Sequence, residues 1–261
     1  MIPERIKIIA TIGPATANPD TILALIEAGM SMARLNFSWG TYAEHEQYIT
    51  WIRQAAEKMG VAIPIIQDIS GPRIQSEGGH TFSTEKEILT EKDKESIRAM
   101  SRFNLDYIAQ SYVADGNDIK HLREFLAEQN INPKIIAKIE RTEAIENIDE
   151  LIAEADVIMI ARGDLGDAIP YFTLPYVQKD ILKKCVAAST PAIVATDMLS
   201  SMLTDPIPSR ADVSDIAQAV LDGASITMLS NETAAGTNPI EAVKVMRTIV
   251  DEAQHKLIDY N

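Results

Sequence analysis

The sequence predicts a single (β/α)8 TIM barrel, on the strength of three observations. Eight short apolar runs alternate without interruption with eight stretches in which apolar residues recur at helical spacing. The runs lack polar alternation, which is typical of strands that are buried on both faces of a parallel sheet. Eight strand–helix units in a chain of 261 residues are the usual size of this barrel. An open doubly wound sheet is the competing architecture, and it is disfavoured in its dinucleotide-binding form because no Gly-x-Gly-x-x-Gly follows the first strand.

The individual elements are predicted from the apolar runs and from the residues that begin and end helices. The expected strands are 6–11, 31–36, 62–67, 105–109, 134–139, 156–161, 191–195 and 225–229. The first helix is expected to begin at Asn18 and Pro19 and to end at Gly29, since proline suits a first helical turn and glycine a helix exit. The other expected helices are 42–59, 90–103, 115–129, 143–153, 175–188, 209–221 and 239–257.

Residues 75–84 (QSEGGHTFST) form a polar, glycine-bearing stretch between the third strand and the next helix. Such a composition predicts a loop, and it is compatible with a short hairpin. The sequence shows no linker and no low-complexity segment, so we predict one domain over residues 1–261.

Composition narrows the classes of partner. The formal net charge is −14 and the isoelectric point is about 4.7, which disfavours binding to nucleic acid or to an anionic membrane. A small anionic substrate is compatible with this net charge, because the local charge of a cleft can be opposite to the net charge of the protein. The single cysteine excludes an intrachain disulfide. No secretory signal precedes the first strand and no apolar run is long enough to span a bilayer, so we expect a cytoplasmic protein. The sequence is compatible with a homo-oligomer.

Polar residues follow nearly every predicted strand, where barrel enzymes hold their chemistry. The residues at these ends are Thr11, Arg34, Asn36, Ser38, Asp68, Gln110, Ser111, Lys138, Glu140, Arg162, Gly163, Asp164, Thr196, Asp197, Ser230, Asn231 and Glu232. Two carboxylates, Glu140 and Asp164, follow neighbouring strands beside Lys138, and this set could hold a divalent cation with an ammonium next to it. Any one of these residues could instead cap a loop, but Arg34 and Lys138 adjoin apolar residues, which favours a catalytic rim.

Eight segments of the chain resemble the pyruvate kinase family, in the order in which that family has them. They are KIIATIGPAT, MARLNFSWGT, PIIQDISGPRI, KIIAKIE, VIMIARGDLG, IVATDMLSSM, PSRADVSDIAQAVLDGA and MLSNETAAGTNPIEAV. The similarity covers nearly the whole chain, and the succession of these motifs is specific to the family. The resemblance implies a barrel, in agreement with the count of strand–helix units.

The resemblance also implies a divalent site and a substrate site. Glu140 and Asp164 match the family's ligands for Mg²⁺ or Mn²⁺. Lys138 matches the lysine that neutralises charge on the transferred phosphoryl group and on the enolate oxygen. The backbone N–H groups of Gly163 and Asp164, together with Thr196, match the cradle of the pyruvate carboxylate.

Further matches concern phosphate, a monovalent cation and a proton-transfer site. Arg34 matches the family's arginine that contacts phosphate, and Glu232 matches a residue beneath the proton-transfer site. A K⁺ site is implied at four residues, the last of them through its backbone carbonyl: Asn36, Ser38, Asp68 and Ile69.

Several departures from the family lie where it contacts nucleotide. The family's TKGPEIR reads ISGPRIQ here, ending at Gln75, and the histidine of its NFSHG is Trp39. The family's lid domain is reduced to a short loop near residues 75–88, and its C-terminal regulatory domain is expected to be absent. Trp39 could stack on a ligand or could fill the vacated space. Arg73 could bind a second anionic group of a larger substrate or could be a solvated surface arginine.

These observations predict a metal-dependent enzyme that acts on phosphoenolpyruvate, pyruvate or a related 2-oxo acid through an enolate. Because a lid supplies positioning and excludes water, nucleotide phosphoryl transfer is expected to be poor. Two alternatives stay open: a 2-oxo acid lyase (decarboxylase or aldolase) on the same site, and a non-catalytic binding or regulatory protein.

Overall fold

A computed structural model describes residues 5–76, 79–83 and 87–260 and contains a closed parallel β-barrel with helices outside it. Eight strands form the barrel in chain order, and the last pairs with the first: β1 Lys7–Ile12, β2 Met32–Asn36, β3 Ile65–Ile69, β6 Tyr107–Gln110, β7 Lys134–Ile139, β8 Val157–Ala161, β9 Ala192–Ala195 and β10 Ile226–Leu229. Between β3 and β6 lies an antiparallel hairpin of β4 Arg73–Ser76 and β5 Gly79–Phe82. The (β/α)8 prediction is confirmed.

Helices follow the barrel strands. They are α1 Pro19–Glu27, α2 Tyr42–Met59, α3 Glu91–Met100, α4 Gly116–Glu128, α5 Thr142–Glu146, α6 Ile148–Glu154, α7 Arg162–Ala168, α8 Leu174–Ala188, α9 Arg210–Leu221, α10 Asn231–Ala234 and α11 Pro239–Tyr260. The predicted helix starts are well explained by capping: the side chain of Asn18 accepts from the backbone N–H of Thr21 at 2.8 Å. Gly60 ends α2 in the left-handed conformation, with φ of 66°.

The structure corrects some boundaries. The third strand begins three residues later than predicted, at Ile65, because Pro64 has no N–H for the ladder and contributes only its carbonyl, which accepts from Ala33 at 2.9 Å. The single helix predicted over 143–153 is two helices, separated at Asn147. The side-chain amide of Asn147 donates to the carbonyl of Ala114 at 3.2 Å. The sequence reasoning missed the short helices α7 and α10, which directly follow strands.

The loop with a compatible hairpin is found as β4 and β5. The stretch near 75–88 in which a shortened lid is expected lies partly outside the described residues, at 77–78 and 84–86. The side chains of Gln75 and His80 are also outside the description.

The barrel interior explains where the polar residues gather. Its buried apolar layer contains, among others, Ile9, Met32, Ile66, Ala109 and Ile136. Side chains alternate between the two faces of a strand, so the residue two positions further along each strand also points inward. These next residues are Thr11, Arg34, Asp68, Ser111 and Lys138, all buried. These five side chains form an inward polar layer, which lies next to the apolar layer on the side of the barrel where the strands have their carboxyl ends.

In the described part of the chain no helix is long and apolar enough to cross a bilayer. The single cysteine, Cys185, is buried in the packing of α8 and carries a free thiol.

Candidate active site

A line of alternating charges crosses the inward polar layer at the carboxyl ends of β2, β3 and β7. Arg34 Nε donates to Asp68 Oδ2 at 2.6 Å, and Lys138 Nζ lies 3.0 Å from Asp68 Oδ1. Lys138 Nζ also lies 3.0 Å from Glu140 Oε1 and donates to Ser111 Oγ at 2.7 Å. All five side chains are buried. Sequence reasoning named four of these as site residues and Ser111 as a strand end, and the fold brings all of them together.

Burial and charge shift the protonation of this cluster. Burial alone would raise the pKa of Asp68, but the neighbouring Lys138 and Arg34 hold that pKa below its ordinary value. Burial works against the charged form of Lys138 as well, yet Asp68 and Glu140 raise the pKa of its ammonium. Both groups are therefore charged at neutral pH.

Glu140 behaves differently. Burial raises the pKa of Glu140 to about 7 although Lys138 opposes the shift, and the carboxylates of Asp164 and Asp68 add to the rise. The backbone N–H of Tyr112 donates to Glu140 Oε2 at 2.7 Å and favours the ionised form. Burial, more than the neighbouring carboxylates, therefore makes the ionised form of Glu140 costly. A divalent cation beside Glu140 would favour the ionised form.

Tyr112 connects the two carboxylates that the sequence assigns to a divalent ion. Besides the contact of its N–H with Glu140, its phenol donates to Asp164 Oδ1 at 3.0 Å. Its φ is 59°, a left-handed conformation that is strained for a bulky residue. Sequence reasoning missed Tyr112, because nothing in a single sequence marks a tyrosine after a strand as a clamp between two distant carboxylates.

Arg73 enters the same site from the start of β4. Its terminal nitrogen lies 3.6 Å from Asp164 Oδ2, and its guanidinium carbon lies 5.7 Å from the centre of the Tyr112 ring. The Arg73 side chain is only 13% exposed, so the interpretation of a solvated surface arginine is wrong.

Gly163 and Asp164 lie in the first turn of α7, directly after β8. A Cβ at Gly163 would lie 3.0 Å from Thr196 Cγ2, so a larger residue at this position would require the Thr196 side chain to shift. Thr196 has a φ of 76°. Arg162 holds this conformation because its Nη2 donates to the carbonyl of Thr196 at 2.7 Å and its Nη1 pairs with Asp215 Oδ2 at 2.7 Å.

The four residues expected to bind K⁺ are engaged by protein groups. The two oxygens of Asp68 pair with Arg34 and Lys138. The carbonyl of Ile69 accepts from Ser111 Oγ at 2.8 Å, and Asn36 Oδ1 accepts from the N–H of Ser38 at 3.1 Å. The predicted K⁺ site stays a prediction.

Two other predicted residues have distinct surroundings. Glu232 is buried, and its oxygens accept from the backbone N–H groups of Leu199 at 3.1 Å and Ser230 at 2.8 Å. These contacts join the loops that follow β9 and β10. Gln110 does not join the site, because it follows the inward Ala109 and therefore points to the helices, where it lines a cavity.

Beside Arg34 a cavity of about 300 Å³ opens between the ends of β1, β2 and β10. Trp39 lies on its wall and is 62% exposed. A side chain this exposed does not fill a vacated space, so the structure contradicts the filling interpretation of Trp39.

Comparison with known proteins gives matches over most of the chain. A family model described as "Pyruvate kinase, barrel domain" matches residues 3–88 and 80–243. A pyruvate kinase from Geobacillus stearothermophilus is 34% identical over 338 aligned positions, which cover 97% of this chain and 58% of that relative. A pyruvate kinase from Sporosarcina psychrophila is 35% identical over 330 positions, covering 94% of this chain and 56% of that relative. The chain thus spans a little under three fifths of the length of these relatives.

Proposed function

Because the chain belongs to the pyruvate kinase family, we propose that its barrel binds phosphoenolpyruvate, pyruvate or a related 2-oxo acid and stabilises the enolate of that substrate. The observation that carries this proposal is the buried ammonium of Lys138, fixed at 3.0 Å from Asp68 and at 3.0 Å from Glu140. A charged lysine is costly to bury. Its position in the inward polar layer suits an anion that develops charge during a reaction.

The residues fit a divalent cation of the Mg²⁺ or Mn²⁺ type. Mg²⁺ in enzymes is commonly held by one or two carboxylates and keeps its other positions for water and substrate oxygens. Glu140 and Asp164 are two such carboxylates, joined through Tyr112, and the described residues hold no larger group of metal-binding side chains. When bound, the ion would polarise the 2-oxo group and lower the cost of charge on its oxygen.

Lys138 would supply the second positive charge at the developing enolate oxygen. Asp68, Glu140 and Ser111 hold its ammonium in place, so its positive charge needs little reorganisation as the reaction proceeds. Preorganised donors of this kind are a main source of catalysis.

The remaining predicted residues would position the substrate. The N–H groups of Gly163 and Asp164, with Thr196, would receive the substrate carboxylate, and the left-handed backbone at Thr196 keeps its side chain against Gly163. Arg34 would contact the phosphate of phosphoenolpyruvate. Glu232 would act as a positioning residue through its two backbone contacts.

We infer that nucleotide phosphoryl transfer is weak and that enolate chemistry is the main activity. The alignment with the Geobacillus relative needs 338 positions for a chain of 261 residues, so that relative carries residues with no counterpart here. The family match divides at residues 80–88, which supports a shortened insertion at that point. Decarboxylation or aldol cleavage would use the same enolate-stabilising groups.

The test is exchange of the methyl protons of pyruvate in deuterated water with Mg²⁺ and K⁺, followed by NMR. Exchange that depends on the divalent ion supports the enolate proposal. Calorimetry with oxalate, an enolate mimic, distinguishes a non-catalytic binding protein, which would bind oxalate without exchanging pyruvate. Absence of both exchange and oxalate binding would refute the proposed function.

A further inference from the structure

Arg73 is a charged residue at the candidate site whose purpose the proposed function leaves open. It begins β4, two residues after Gly71, whose φ is 64°. This left-handed turn directs the chain back over the barrel mouth, and an added Cβ at Gly71 would lie 3.2 Å from the carbonyl oxygen of Ser111. The fold thus carries an arginine into the site from outside the barrel.

The contacts of Arg73 are loose compared with those of Arg34. Arg34 is tightly held, since its Nε lies 2.6 Å from Asp68 and its Nη1 lies 3.1 Å from Thr11 Oγ1. Arg73 lies 3.6 Å from Asp164, beyond hydrogen-bond distance, and rests against the ring of Tyr112. Arg73 also forms a side-chain hydrogen bond with Tyr112, but its Nε is buried and donates to no acceptor in the part of the chain that the structure describes. One of the donors of Arg73 is therefore without an acceptor among the described residues.

The charge balance of the site indicates what Arg73 is placed for. Within the cluster that is joined by direct side-chain contacts, three cations, Arg34, Arg73 and Lys138, face three carboxylates, Asp68, Glu140 and Asp164. The buried carboxylate of Glu232 stands outside this cluster and accepts from two backbone N–H groups. A divalent ion at Glu140 and Asp164 adds two positive charges. A 2-oxo monoacid returns only one negative charge, whereas a dicarboxylate returns two. An uncompensated buried charge is costly, so the loaded site favours the dianion.

The divalent ion would also release Arg73 for this purpose. Among the described residues, Asp164 is the anion paired with the Arg73 guanidinium, at 3.6 Å, and it is the residue proposed to bind the ion. Once its carboxylate is committed to a cation, its attraction for Arg73 is weakened. The planar guanidinium fork then matches a carboxylate in bidentate geometry.

We propose, as an extension that rests on the proposed function, that Arg73 binds a second carboxylate and that the substrate is a short 2-oxo dicarboxylate. Arg73 would be a specificity-determining residue, separate from the groups that stabilise the enolate. Its closeness to Asp164 requires a short spacer between the second carboxylate and the 2-oxo group, as in four- and five-carbon diacids.

The experiment compares matched acids by calorimetry with saturating Mg²⁺. The diacids are oxaloacetate and 2-oxoglutarate, and the monoacids of similar length that lack the second carboxylate are 2-oxopentanoate and 2-oxohexanoate. The wild-type protein is expected to bind at least one diacid about tenfold or more tightly than its counterpart. Arg73→Gln is expected to lose this preference and to keep its affinity for the monoacids and for oxalate. Arg73→Lys keeps the charge without the fork, so it should retain part of the preference.

The outcomes separate this inference from the proposed function. If oxalate binds and pyruvate exchanges while no diacid is preferred, the Arg73 inference is wrong and the enolate site stands. The same holds if Arg73→Gln keeps the wild-type preference. If neither oxalate binding nor exchange occurs but a diacid binds through Arg73, the proposed function fails and the second-carboxylate site stands. Because the wild-type comparison needs no variant, poor folding of Arg73→Gln does not prevent a decision.

Discussion

The substitution Lys138→Met tests the centre of the proposed mechanism. Methionine has a similar length and no charge, so the variant removes the ammonium and leaves the apolar part of the side chain. Three contacts are lost: those with Asp68 at 3.0 Å, with Glu140 at 3.0 Å and with Ser111 at 2.7 Å. Asp68 keeps Arg34 as a partner at 2.6 Å, whereas Glu140 loses the cation that lies against it.

From the structure we expect this variant to lower two quantities, the folding stability and the rate of deuterium exchange into pyruvate. Breaking a buried ion pair from one side typically costs about 3–5 kcal/mol of folding stability, and protonation of Glu140 offsets part of that cost. A divalent ion that binds the folded state restores stability by mass action. The rate of deuterium exchange into pyruvate is expected to fall by about 10²–10³, the usual loss for one preorganised donor.

The assay combines NMR of exchange with thermal unfolding, each measured with and without Mg²⁺. Lys134→Met is the matched control, since Lys134 lies on the same strand, is exposed, and has its Nζ 5.9 Å from the centre of the Tyr107 ring, away from the charged cluster. The control should exchange at the wild-type rate. If Lys138→Met also exchanges at the wild-type rate while folded, Lys138 is structural and the enolate mechanism is refuted.

Three further predictions concern the metal, pH and nucleotide. Asp164→Asn should weaken Mg²⁺ or Mn²⁺ binding at least about tenfold, or roughly 1.4 kcal/mol, as measured by calorimetry. Asp167 is an exposed carboxylate on the same helix, so Asp167→Asn should bind the ion like the wild type. Equal affinities of the two variants would show that Asp164 is not a metal ligand. Because the pKa of Glu140 is raised from 4.5 to about 7, its protonation stabilises the metal-free fold below pH 4.5, and this contribution is lost as pH rises towards 7. Denaturant unfolding should show that the free energy of unfolding of the wild type falls by up to about 3 kcal/mol over this pH range, whereas that of Glu140→Gln should not. Identical pH profiles for the two proteins would contradict the raised pKa of Glu140. ADP with Mg²⁺ should bind weakly or not at all by calorimetry, and micromolar affinity would overturn the inference that phosphoryl transfer is weak.

The alternation of strands and helices was determined by sequence alone. The apolar runs and caps are local features, and a helix boundary such as that of Tyr42–Met59 is set by Thr41 and Gly60 at its ends. The inward polar layer was also accessible from sequence, because a period of two places Lys138 above Ile136 and Asp68 above Ile66 on the same face.

The partners of those polar residues were decided only by the tertiary structure. Tyr112 contacts Glu140, 28 residues further along the chain, and Asp164, 52 residues further along, and it does so with a left-handed backbone. The position of Arg73 follows from the turn at Gly71 and the hairpin, both outside the barrel repeat. Local sequence sets which face a side chain occupies, but the distances between charges, and therefore their pKa values, depend on which distant segments the closed barrel brings together.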